Sequence, residues 1–317
     1  MNYAIGIDVG KKEMVACIRS SDGLGAPTIS FPNTTLGTKQ FLGKLEEQSL
    51  PHDTPILLES TGPYHWQAAY QMTQAKWRVR LMNPILTKRI ARHSIRKRKT
   101  DKIDAGHLAL LASQGYGYVF QETQEWAKEK ALIRHYWKLR TAMVNFTRHE
   151  DYLRTYRGIT GTSVARYLLK QSDILRKKII NLFEKGNDLR YLDSIPGITP
   201  MLAVTILAEL RPLSRFQRIE QVIAYAGLDP GIKQSGGKPA KFTKLSKRGS
   251  PTLRKMLYYA AFGCFMRPPF NVLYTGYKKR GLHHTAALCI LSRKILRISV
   301  ALLKKREVFK SEYVDRT

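Results

Sequence analysis

The chain has 317 residues, 43% of them hydrophobic, which is enough to build cores in two or three domains. Its 54 Lys and Arg against 24 Asp and Glu give a formal net charge of +30, and so much like charge calls for a polyanionic partner, nucleic acid first. No apolar run approaches the roughly 18–20 residues of a membrane span, no basic stretch precedes Met1-Asn2-Tyr3-Ala4-Ile5 as in a signal peptide, and Cys17, Cys264 and Cys289 lack zinc-knuckle spacing, so a reducing cytoplasm is expected.

In chain order, strand signals fall at 3–9, 13–19, near 28–31, at 55–59 and at 78–82, with helical segments at about 37–48, 64–75 and 102–114. Gly10-Lys11-Lys12 joins the first two strands as a hairpin-like link. A mixed sheet that opens on a hairpin and then alternates with helices is an RNase H-like pattern, although periodicity by itself licenses only α/β. Residues 1–122 are therefore read as an α/β domain. From about 124 the period changes: Leu132, Tyr136, Leu139, Met143, Phe146 and Leu153 recur at fours and threes, a coiled-coil seam. Val164, Leu168, Leu175, Ile179 and Leu182 repeat it more weakly after the turn Gly158-Ile159-Thr160-Gly161. Residues 123–188 thus read as an antiparallel helical hairpin that can pair with another subunit, with an ordinary helical core as the competing reading. Residues 189–317 read as a mostly helical unit. It contains Ile195-Pro196-Gly197-Ile198, a helix-hairpin-helix-like turn whose amides can grip a phosphate. A Gly- and Lys-rich loop follows from Ala224 to Gly249, then a basic amphipathic stretch near 291–306.

Four carboxylates stand where a nuclease needs them. Asp8 lies mid-strand in Ile7-Asp8-Val9, so its side chain points to the opposite face from its apolar neighbours. Gly6 and Gly10 flank it and leave room for a ligand or another backbone. Glu59 ends the run Ile56-Leu57-Leu58, and Asp101 and Asp104 sit three apart at a helix start, able to project from one face. Burying carboxylates is costly, and a divalent ion offsets that cost; four hard oxygen donors suit Mg²⁺, and two such ions roughly 4 Å apart would clamp the attacking and leaving oxygens of a phosphodiester. Plainer readings compete. Asp101 can cap its helix, Asp104 is favoured in a first turn by the helix dipole, and Glu59 can be a solvated strand end. Gly6-Ile7-Asp8-Val9-Gly10 also resembles the first phosphate loop of actin-like sugar kinases, but the second loop and adenosine segment of those enzymes are missing.

Lys88, Arg89, Arg92, Arg96, Lys97, Arg98, Lys99 and Lys102 crowd the approach to Asp101, a candidate phosphate-binding stretch. Tyr64, His65 and Trp66 follow the Glu59 turn and can stack on bases or pack in the core. A second basic segment holds Lys233, Ser235, Lys238, Lys241, Lys244, Lys247 and Arg248. Ser235 precedes two glycines and can present its hydroxyl to a phosphate whose charge the lysines offset. Ser246 and Ser250 are rivals, Ser250 more naturally as the N-cap before Pro251.

Tyr3–Gly10, Leu58-Glu59-Ser60-Thr61-Gly62, Lys99–Ala105, Ile195-Pro196-Gly197-Ile198, Gly227-Leu228-Asp229-Pro230, Gln234-Ser235-Gly236-Gly237 and Ser246-Lys247-Arg248-Gly249 occur in one order. Over essentially its whole length the chain resembles the insertion-sequence-110 family of bacterial transposases, also called DEDD transposases or bridge-RNA-guided recombinases. The resemblance implies a RuvC-like domain with Asp8, Glu59, Asp101 and Asp104 as catalytic Mg²⁺ ligands. It implies a coiled-coil middle and a C-terminal transposase domain with Ser235 as nucleophile. It further implies element and target DNA as substrates, a structured noncoding guide RNA, a dimer or tetramer in which one subunit's acidic site meets another's serine, and work at the bacterial nucleoid. A metal-dependent junction resolvase hydrolysing with water is the alternative enzyme, and a catalytically dead nucleic-acid binder the alternative outside enzymes.

Overall fold

The computed structural model describes residues 3–20, 27–60, 62–84, 87, 100–154, 163–184, 186–231, 234–235, 238–239 and 245–316; for 150–154, 163–165, 234–235, 238–239 and 315–316 it describes the backbone alone. The chain forms two units, Met1–Gln124 and Glu125–Thr317.

The first unit is built on a mixed sheet. Its strands are β1 (Tyr3–Val9), β2 (Glu13–Ser20), β3 (Thr28–Pro32), β4 (Pro55–Glu59), β5 (Arg78–Met82) and the short β6 (Tyr118–Val119), in the order β3-β2-β1-β4-β5-β6. β1, β2 and β3 pair antiparallel, β1, β4 and β5 parallel, and β6 closes the edge antiparallel to β5. This is the RNase H-like arrangement expected from the hairpin start. The central strands are apolar at almost every position because both faces of the sheet are covered.

Alternation along each strand sorts the two faces. Ile5, Ile7, Met14, Ala16, Ile56, Leu58 and Val79 pack with Phe41 and Leu45 of α1 (Thr35–Glu47) and with Ala68 and Met72 of α2 (Trp66–Gln74). The opposite face carries α3 (Asp101–Ser113). There Ala4, Leu57 and Met82 meet Leu108, Leu111 and Ala112, while Val15 and Cys17 meet Ala105 and Ala109. Small side chains on both partners bring α3 close to the sheet. Gly6 marks the tightest point: a Cβ there would lie 2.1 Å from the Ala109 nitrogen and 2.3 Å from the Ala105 oxygen. Of the two uses read for this glycine, room for another backbone is the one realised.

The second unit is helical: α4 (Gln124–Arg154), α5 (Ser163–Glu184), α6 (Asp188–Asp193), α7 (Pro200–Leu210), α8 (Ile219–Ala226), α9 (Pro251–Cys264), α10 (Phe270–Lys279), α11 (His284–Lys305) and α12 (Tyr313–Arg316). A small hairpin, β7 (Gln234–Ser235) with β8 (Lys238–Pro239), interrupts them. α7 is buried from Met201 to Leu210 and forms the centre of the core, as a helix apolar on all sides must. Gly197, at φ +96°, lets the Ile195–Ile198 turn press on α9, where a Cβ would lie 2.4 Å from the Gly263 oxygen.

The two helices expected between 123 and 188 are present, but their 4–3 residues divide. Tyr136 and Ile179 are buried in this unit's core, with Leu132 and Leu175 packed against it. Phe146 and Leu182 are exposed, and Phe183 is buried where Leu182 was expected. The spacing marks apolar faces correctly without saying what covers them. Gly158–Gly161, Leu153 and Val164 lie outside the residues whose side chains the structure describes.

Candidate catalytic carboxylates and serine loop

Register places the acidic residues. β1 and β4 run parallel with Ile7 opposite Leu58, so Asp8 and Glu59, one step further on, come to the C-terminal ends of adjacent strands. Asp8 is two positions from Gly6 and Glu59 two from Leu57, so both belong to the face that α3 covers. Along α3, Ala112 and Leu108 lie beside Ala4, whereas Ala105 lies beside Gly6. The helix therefore runs against β1, and its first turn, with Asp101 and Asp104, arrives at the Asp8–Glu59 end. All four expected carboxylates share one end of the β1–β4–α3 layer. Asp8, Glu59 and Asp104 are half-buried and Asp101 is exposed.

The plainer role for Asp101 fails on geometry. Thr100 is the N-cap, accepting from the Ile103 N–H at 3.3 Å, so Asp101 and Asp104 stand in the first turn where the helix dipole favours negative charge. Among the described residues no three His, Cys, Asp or Glu side chains form a ready metal cage. The donor set nonetheless suits a hard divalent ion, since it offers four carboxylates and no sulfur or imidazole.

Sequence reasoning missed the residue that organises this end. Asn33, just after β3, donates through Nδ2 to the Gly10 carbonyl at 2.8 Å and to the Tyr64 carbonyl at 3.1 Å. One amide thereby joins the turn after Asp8 to the loop after Glu59. Ser60 adds to this by donating its N–H and its hydroxyl to the Met82 carbonyl, at 2.8 and 3.0 Å. Of the candidate stacking residues, Trp66 lies on Tyr70 with ring centroids 5.0 Å apart and packs against the core, while Tyr64 is exposed. Lys102 is exposed; Lys88, Arg89, Arg92, Arg96, Lys97, Arg98 and Lys99 lie outside the described residues.

In the second unit, Ser235 ends β7 and pairs with Lys238 of β8, and Gln234 pairs with Pro239; Gly236 and Gly237 lie outside the described residues. The segment that bears this hairpin is closed at its base. Pro230 bridges to Leu245, the Ser246 N–H donates to the Asp229 carbonyl at 2.9 Å, and the Ser246 hydroxyl donates to the Asp229 carboxylate. Ser246, a rival nucleophile, is thus engaged in holding the loop. Ser250, the other rival, caps α9 by accepting from the Leu253 N–H and donates to Glu209 at 3.0 Å. Lys247 and Arg248 are exposed beside this base; Lys233, Lys241 and Lys244 lie outside the described residues.

Glu209 had no sequence signal beyond a lone acid at the end of an apolar helix. It is 1% exposed, and Arg134 grips it through Nε and Nη2 at 3.0 and 3.3 Å, with Ser250 and Tyr225 on the same carboxylate. Burial pushes its carboxyl up, but the Arg134 and Lys130 charges and the hydrogen bonds from Arg134 and Ser250 outweigh burial and hold it below the usual carboxylate range.

Two family profiles match. One described as "Transposase IS116/IS110/IS902 family" covers residues 189–275, and a DEDD transposase profile of the IS110 group covers residues 5–156. The chain belongs to the IS110 family of transposases. It is a DNA transposase/recombinase, an enzyme that cleaves and rejoins DNA. The pilin gene-inverting proteins of Moraxella bovis and Moraxella lacunata are each 24% identical to it over 96% of this chain and 97% of theirs. The transposase of element IS1111A from Coxiella burnetii is 33% identical over 24% of this chain and 21% of its own. Among solved structures, Thermus thermophilus RuvC in complex with a Holliday junction substrate matches 38% of this chain and all of its own, with 12% identity and a TM-score of 0.27. Among the described residues no helix is long and apolar enough to cross a membrane.

Proposed function

We propose that this transposase exchanges DNA strands through two chemically distinct parts, an acidic metal site and a serine nucleophile. Asp8, Glu59, Asp101 and Asp104 hold Mg²⁺, which when bound would neutralise charge developing on the reacting phosphate. The observation that carries the reading is the arrival of all four carboxylates at one end of the β1–β4–α3 layer. Ser235 supplies the attacking oxygen. As its hydroxyl proton leaves, an Oγ–phosphorus bond forms, the phosphorus–oxygen bond to the deoxyribose breaks, and the departing oxygen takes a proton. A hydroxyl from another strand then reverses the step. The number of phosphodiesters is conserved and no water is consumed, which rejoining requires and simple hydrolysis does not permit.

Gene inversion, the activity in the names of the Moraxella relatives, also demands rejoining, and so favours this chemistry over a resolvase. A structured noncoding RNA selects the DNA by base pairing, and the +30 charge serves both nucleic acids. Subunits assemble through the exposed parts of α4 and α5, around Phe146 and Leu182, so that one chain's carboxylates work with another's Ser235. The decisive experiment compares Asp8→Ala and Ser235→Ala on element DNA with Mg²⁺ and cognate RNA. Both lose strand exchange while retaining DNA binding, and only protein with Ser235 intact gives a covalent DNA adduct that maps to that residue. A fully active Ser235→Ala enzyme would reduce the protein to a hydrolytic nuclease.

A further inference from the structure

The second unit holds a cleft of about 380 Å³ between α4 and the start of α9, and none of its lining residues belongs to the candidate catalytic set. Arg134, Trp137, Lys138 and Thr141 line one wall, Thr252 and Lys255 the other, and no lining residue is acidic. The charge of Arg134 is already offset by Glu209, so Lys138 and Lys255, both exposed, give the cleft its net positive sign. Trp137 is fixed in the wall by its indole N–H, which donates to the Thr205 hydroxyl at 2.9 Å.

The cleft does not end at Lys255. Thr252, Lys255, Tyr259 and Phe262 recur at threes and fours and so share one face of α9. Lys255 lies over the Tyr259 ring, 5.6 Å from its centroid, and Tyr259 stands 6.4 Å from Trp137. Tyr259 is 43% and Phe262 56% exposed, so two neighbouring aromatic rings on one helix face are open to solvent. Cations at one end of a helix face and exposed rings along the rest form the combination that single strands need: charge for the backbone and flat surfaces for unpaired bases. A second protein chain on this face would have to desolvate Lys138 and Lys255 with no acidic partner on this side.

We propose that the α4–α9 cleft is a single-strand nucleic-acid site, with a phosphodiester held at Lys138 and Lys255 and bases stacked on Tyr259 and Phe262. The site deepens the strand-exchange reading, since exchanged or guide strands must be held unpaired. Both DNA and RNA offer that chemistry, and the assay separates them. Labelled oligo-dT and oligo-U are titrated with full-length protein across a range of salt concentrations. Each neutralised phosphate contributes about 0.7 to the slope of log K against log salt for a single strand. Lys138→Gln/Lys255→Gln, which frees that one phosphodiester, therefore flattens the slope by about 0.7, and Tyr259→Ala weakens binding about tenfold, the effect of one lost stacked base. Loss on oligo-U alone assigns the site to RNA, and loss on oligo-dT alone assigns it to DNA. Because the four side chains face solvent, an unchanged thermal midpoint verifies folding.

Unaltered affinity and slope for both oligomers would overturn the proposal. So would a change in sedimentation of the Tyr259→Ala/Phe262→Ala protein with oligomer binding intact, because the face would then be a protein interface. Asp8→Ala separates the two readings: it abolishes cleavage without touching oligomer binding. Weakened binding in the lysine variant beside Asp8-independent cleavage would sink the strand-exchange chemistry and leave the cleft standing.

Discussion

Substituting alanine for Gly6 probes whether backbone contact between β1 and α3 sets the position of two carboxylates. The new Cβ would sit 2.1 Å from the Ala109 nitrogen, 2.3 Å from the Ala105 oxygen and 2.5 Å from the Leu108 carbonyl carbon, all main-chain atoms that no rotamer change can move. Ordinary contact starts at 3.4 Å, so α3 must recede by about 1.3 Å at this point. Overpacking of this kind costs about 1–3 kcal/mol. The helix carries Asp101 and Asp104 in its first turn, one turn from the obstruction, so both move away from Asp8 and Glu59. A shift of about 1 Å at a reacting centre costs on the order of a hundredfold in rate. Gly106 gives the control on the same helix: a Cβ there meets just the Cys17 sulfur at 3.9 Å, and Gly106→Ala should stabilise α3 by roughly 0.5–1 kcal/mol. The assays are thermal unfolding and Mg²⁺-dependent strand cleavage on equal amounts of folded protein. Wild-type stability and wild-type cleavage in Gly6→Ala would refute the argument that α3 is seated by this contact.

Asn33→Ala removes both bonds that join the Gly10 turn to the Tyr64 loop. We expect a stability loss of about 1–2 kcal/mol and reduced cleavage that higher Mg²⁺ partly restores, measured by metal titration; a pure fold defect would show no metal rescue. Arg134→Met leaves Glu209 charged and buried without its principal partner, at a cost of about 3–5 kcal/mol, and Arg134→Met/Glu209→Gln recovers part of it in denaturant melts. The pH dependence weakens with it. In the native protein the Glu209 carboxyl is held low, so its contribution is full above the unfolded value of about 4.3 and disappears as pH falls through the folded value. Without Arg134 only Lys130 and the Ser250 hydrogen bond still oppose burial, so the carboxyl rises from its native position and the stability lost on acidification shrinks.

The sheet was legible because β1 and β4 are apolar at consecutive positions, a pattern that only a strand covered on both faces sustains at that length. β6 escaped notice: two residues, Tyr118 and Val119, carry no period, and what makes them a strand is the open edge of β5. The four carboxylates were legible by type and by local setting, and were expected together; the route that brings them to one end of the layer was not legible. It follows from the parallel register of β1 with β4 and the antiparallel run of α3, and neither is a local property of the sequence. Asn33 looked like an ordinary turn residue, since its partners lie 23 and 31 residues away. Glu209 was hidden for the same reason, its guanidinium partner standing 75 positions earlier on a helix read as a separate segment. The 4–3 rhythm of α4 and α5 identified apolar faces such as Tyr136 and Ile179, yet the partner that buries them is the C-terminal core.

The Asp229–Ser246 latch has a bearing on how such enzymes diversify. With the Pro230–Leu245 bridge it fastens both ends of the Ser235 segment to the helical body, so the packing of α8 and α9 is indifferent to what is threaded between them. Closing a longer segment over a fixed base costs little, about 0.6 kcal/mol for each doubling of length. The Ser235 segment is thereby an exchangeable cassette: a chimera that swaps everything between the latch residues would inherit another enzyme's segment without disturbing its own core.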